Sequence, residues 1–202
     1  MAITSVKTGS SFTNLQKYDS MLAGNAAYDP NATWLIQRTT VGSGGSSSIT
    51  FSSIPSTYTH LQIRGIGRTN RSANGDYALV KLNNDSSTSN YTTHYLQGNG
   101  STVAAGGYVQ SFAGYLWSRW GAASDASNIF GAGILDILDY ANTNKYKTGR
   151  DTGGLETNTA NSQINLESSI WLSTSAVTSI TITPGAGTSW NQYSTFALYG
   201  VK

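Results

Sequence analysis

Two histidines, His60 and His94, and ten acidic residues are the groups in this 202-residue chain best suited to moving a proton. A hydrolytic triad needs a serine, a histidine and a carboxylate that meet in space. Serine is so abundant here that its nearness to either histidine carries no information, and no G-x-S-x-G elbow accompanies it. Asp136 and Asp139 are three apart in an apolar run, so within a strand they point to opposite faces and cannot form a glycosidase pair. Asp76, Asp85, Asp125, Asp151 and Glu156 fall in polar or glycine-rich stretches, where carboxylates commonly make turns. Asn83-Asn84-Asp85 offers oxygens without the spacing of a calcium loop. With two histidines and no cysteine, a zinc ligand set is missing. The expectation is a chain with no catalytic residue, no cofactor and no metal.

Charge excludes other classes. Charged residues make up 11% of the chain and the net charge is +2, which argues for neither a nucleic-acid nor a membrane surface. Arg64, Arg68 and Arg71 form a small basic cluster near a strand end, either ion-paired or an anion site. Aromatic side chains are a richer signal. Tyr115, Trp117 and Trp120, in GYLWSRWG, could fill the end of a core, anchor a subunit interface or stack on a sugar.

The elements that would position these groups are strands. Residues 47–71 contain two of them, over 49–53 and 60–68, around a turn at Pro55. Ile49 and Phe51 share one face, Leu61 and Ile63 another, with polar residues between: the period of two of a half-buried antiparallel sheet. Similar patterns predict strands over 34–41, 77–82, 91–97, 164–172, 177–183 and 195–201, with turns at Asn74-Gly75 and Gly98-Asn99-Gly100. Ala78, Val80 and Leu82 are expected inside, as are Ile164, Leu166, Ile180, Ile182, Phe196 and Leu198. The run ILDIL within 129–140 reads as a mid-sheet strand buried on both faces, followed by a polar strand near 145–148. Residues 103–114 are too glycine-rich to place.

The expected fold is all-β: a β-sandwich of about ten strands, most simply a jelly roll, over residues 31–202. Residues 1–30 differ and predict a short helix or arm, with Phe12, Leu15, Tyr18, Met21 and Leu22 as its apolar side chains. That segment either covers its own domain or reaches a neighbouring subunit. The start lacks the apolar core of a signal peptide, which predicts a protein assembled without export.

Four stretches, KYDSMLAGNAAY, SITFSSIPSTYTHLQIRGIGRT, NIFGAGILDILDYANTNKYKT and FALYGVK, together resemble small virion structural proteins of tailed bacteriophages. The similarity runs over about residues 17–202. It implies a capsid cement or decoration protein, or a tail or fibre component, with a jelly-roll-like fold and no catalytic residues. The implied partners are the phage major capsid protein and copies of the chain itself, at the outer surface of the head. A host glycan is the ligand implied by the alternative, a tail adaptor or carbohydrate-binding sandwich.

Overall fold

The computed structural model describes residues 33–202. The predicted arm over 1–30, with Phe12, Leu15, Tyr18, Met21 and Leu22, lies outside the described residues. Twelve strands follow: β1 (Thr33–Thr40), β2 (Ile49–Phe51), β3 (His60–Gly67), β4 (Asp76–Leu82), β5 (Tyr91–Gly98), β6 (Val103–Val109), β7 (Tyr115–Trp120), β8 (Gly131–Leu138), β9 (Lys147–Leu155), β10 (Gln163–Trp171), β11 (Ile180–Pro184) and β12 (Thr195–Val201). Every pairing between them is antiparallel.

They form two sheets packed face to face, an all-β sandwich. One sheet has eight strands in the order β1-β12-β3-β8-β9-β10-β5-β6, the other four in the order β2-β11-β4-β7. The sheets are unequal because two hairpins, β5–β6 and β9–β10, join the larger one and have no counterpart in the smaller. The smaller sheet ends at β7, which packs on β8, β9, β10 and β5.

The core lies where both sheets overlap. Ile49, Phe51, Leu61, Ile63, Ala78, Val80, Leu82, Ile180, Ile182, Phe196 and Leu198 are all buried, as their alternation predicts. Each of these side chains larger than Ala78 stabilises the fold by roughly 1.5–3 kcal/mol through lost apolar surface. At one end Trp117, Trp120, Trp190 and Phe196 meet edge to face, with ring centroids 4.8 Å apart for Trp117–Trp120 and for Trp190–Phe196. Gly65 makes room for them: a Cβ there would lie 2.8 Å from both Phe196 and Trp120.

Two expectations are corrected. Ile164 and Leu166 are 66% and 51% exposed; the inward set of β10 is Asn165, Glu167, Ser169 and Trp171. The ILDIL strand, β8, is mid-sheet but covered on one face only, so Leu135 and Ile137 are buried while Ile134 is 41% exposed. In both cases the reason is the same: nothing within residues 33–202 covers the outer face of the larger sheet.

Candidate functional site

The residues singled out for chemistry are not brought together. His60 is on β3 and His94 on β5, four strands apart in the sheet. His60 Nδ1 accepts a hydrogen bond from the backbone of Asp139 at 3.0 Å, an internal strand-end contact. Arg68 donates to the carbonyls of Asp125, Ala126 and Ile129, each at 2.9 Å, and so staples the β7–β8 loop. Arg71 Nη1 lies 3.8 Å from Asp76, and Arg64 sits over the Tyr199 ring at 4.9 Å. The basic cluster is therefore engaged by its own chain.

Tyr115, Trp117 and Trp120 are fully buried, so the candidate interface or sugar platform in GYLWSRWG is instead the end of the core. Trp117 and Trp120 are three apart and would face opposite ways in a regular strand. The register between β4 and β7 shifts here: Tyr77 pairs with Ser118, and the next residue, Asp76, pairs with Trp120. That bulge lets both tryptophans point inward and sets Arg119 at the sandwich mouth.

What the structure does assemble lies on the two extra hairpins. Cross-strand pairing carries two apolar rows across the outer face of the larger sheet. One runs Val103–Gly98–Ile164–Gly154–Ala132–Ile66, the other Ala105–Leu96–Leu166–Thr152–Ile134 and then Arg64. Val103, Ile164, Ile66, Leu96, Leu166 and Ile134 are between 41% and 77% exposed. Six strands at a spacing of about 4.8 Å make the band about 24 Å wide. Arg64 is its one charge. The next row, His94–Ser168–Arg150–Asp136–Gln62, is polar throughout. Between Ile164 and Ile134 the small residues Ala132 and Gly154 leave a shallow groove of about 420 Å³. The band ends at β6, VAAGGYV, whose far side has no partner strand among the described residues. That edge carries no charge or proline to discourage pairing.

The inner face of the same hairpins is polar. Arg119 Nη1 donates to Gln163 Oε1 at 3.1 Å; Gln163 Nε2 donates to Gln97 at 3.0 Å and to Asn165 Oδ1 at 2.7 Å; Asn165 Nδ2 reaches Glu167 at 3.4 Å. Glu167 is directly opposite Asp151 on β9, and the two are 1% and 2% exposed. Burial, and then the facing Glu167, push the Asp151 carboxyl well above the usual carboxylate range. A cleft of about 190 Å³ opens over this floor, between β10 and β5 below and Arg119, Leu116 and Tyr77 above. Tyr95, Tyr108 and Phe112 wall its outer side.

Alternation alone missed these residues, because Ile164, Leu166 and Ile170 outweigh Asn165 and Glu167 in one strand. The signal that could have found them is Trp171, the strand's largest apolar side chain, which is in phase with the polar set and is 3% exposed. Among the described residues no group of three or more His, Cys, Asp or Glu side chains could hold a metal ion. No helix among them is long and apolar enough to cross a membrane. Compared with known protein families, characterised proteins and solved structures, the chain finds no match.

Proposed function

We propose that this chain is a non-enzymatic structural protein of a tailed-phage particle, a capsid cement or decoration protein on the outer surface of the head shell. Its partners are the major capsid protein and other copies of itself. The observation that carries the reading is the outer face of the larger sheet. An apolar band about 24 Å wide, free of charge until Arg64 and bordered by a polar row, has the layout of an interface core and rim. Nothing within residues 33–202 covers that band.

The strand order supports the same reading at a finer level. Without the two extra hairpins, the remaining strands fall into two sets of four, β1-β12-β3-β8 and β2-β11-β4-β7. The chain passes from one set to the other at each step from β1 to β4, then from β7 to β8, from β8 through the β9–β10 hairpin to β11, and from β11 to β12. That order supports reading the sandwich as the double Greek key of a jelly roll. The hairpins β5–β6 and β9–β10 then widen one sheet of it, and the apolar band lies largely on that widening.

Staining purified particles for protein tests the proposal. A cement protein is present in hundreds of copies, while a tail or fibre adaptor, the alternative, is present in tens or fewer. Finding the chain absent from purified particles overturns both.

A further inference from the structure

We propose that the cleft at the mouth of the sandwich binds a neutral saccharide. The inference goes beyond the assembly role and uses the opposite face of the same hairpins. The cleft exists because the smaller sheet stops at β7 while the larger continues through β10, β5 and β6. Past the edge of β7, the inner face of those strands therefore looks into an open space of about 190 Å³.

Its lining selects the ligand class. Arg71 and Arg119 are matched by Asp76 and Glu167, so the cleft offers no net field to an anion or a cation. The floor is a line of planar side chains, Gln97, Gln163 and Asn165, joined to Arg119 at one end and Glu167 at the other. Amides both donate and accept, as sugar hydroxyls do, so neighbouring hydroxyls on a ring can each find a partner without bringing charge. Against this floor stands an aromatic wall. Tyr95 and Tyr108 stack at 5.6 Å, Phe112 meets Tyr108 edge-on at 5.0 Å, and Tyr77 lies 5.5 Å from Phe112. Tyr108 is 37% exposed, leaving ring surface for the C–H face of a pyranose. Because these rings already pack on one another, they form a wall and not a slot, which disfavours a flat nucleobase.

The acid pair does not turn the cleft into a glycosidase. Glu167 and Asp151 sit opposite each other on neighbouring strands and share one face. They cannot stand on either side of a glycosidic bond with a sugar between them. The cleft binds without cleaving.

Titrating the ¹⁵N-labelled full chain with glucose, galactose and N-acetylglucosamine, and separately with inorganic phosphate and AMP, tests this. The side-chain amide signals of Gln97, Gln163 and Asn165 should move saturably with at least one of the three sugars. Gln163→Ala and Tyr108→Ala should each weaken that binding by about tenfold or more. Leu166→Asp, on the opposite face, should leave it unchanged, which separates this site from the assembly surface. The proposal is overturned if none of the sugars moves these signals. It is equally overturned if only phosphate or AMP does, or if binding survives both cleft substitutions intact.

Discussion

Asp151 and Glu167 set two carboxyl groups side by side between the sheets, where a second negative charge is costly. Burial first, and then the facing Glu167, disfavour the charged form of Asp151. Its raised pKa fixes the sign of a pH dependence. The folded protein holds this proton more tightly than the unfolded chain, so the stability linked to it is fully present below the ordinary aspartate pKa of about 4. That contribution is lost as pH rises from there through the raised folded value. Asp151→Asn keeps the shape and removes the ionisation. It should stabilise the protein by about 1–3 kcal/mol near pH 8 and by little near pH 4. Denaturation at the two pH values checks this, and an equal effect at both would show that Asp151 ionises as an ordinary carboxyl. Two other buried charged groups are well supplied with partners. Asp76 accepts from Thr69 Oγ1 at 2.8 Å and from the backbone of Tyr77 and Gly187 at 2.9 and 3.0 Å, and Lys147 Nζ donates to three loop carbonyls.

At the scale of elements, β3 and β10 show what alternation settles. Both alternate apolar and polar residues. In β3 the apolar set, Leu61 and Ile63, faces the smaller sheet; in β10 the apolar pair Ile164 and Leu166 faces out. Ile63→Ala should therefore cost about 2–5 kcal/mol, a buried side chain lost from a packed core. Leu166→Ala should stay within about 0.5 kcal/mol, as surface changes do. Urea melts of the two variants decide it, and a large loss at Leu166 would return that strand to the opposite facing. Period two groups residues by face, but it does not say which face meets the partner sheet. Where the sheets overlap, in β2, β3, β4, β11 and β12, the apolar set is inward and the sequence was legible. On β10, beyond the overlap, it was not. Glycine hides strands for a different reason. β6 (VAAGGYV) has two glycines and β9 (KTGRDTGGL) three, so alternation does not place the first and reaches only the start of the second. The cleft was illegible because β4, β5, β6, β7 and β10 each supply a part. Their alignment depends on register and on a bulge at Arg119, neither of which composition encodes.

For the whole molecule, the feature to explain is a weakly charged protein, +2 over 202 residues, with an apolar outer sheet face. A cement protein held by charge would leave its shell as salt rises, since at about 1 M the screening length falls to about 3 Å. A protein held by the Ile164–Leu166–Ile134 band should behave in the opposite way. Burial of apolar surface is not screened, is strengthened by sulfate and weakens on cooling. Particles washed in about 1 M sodium chloride should thus keep their full complement, and prolonged cold should loosen it before salt does. Leu166→Asp combined with Ile164→Asp places two charges in the band while touching nothing in the core. The double variant should fold with wild-type thermal stability and fail to decorate particles that lack their own copy. Loss of the native protein in moderate salt would assign attachment to Arg64, Arg150 and their neighbours. Full decoration by the double variant would move the contact off this face altogether.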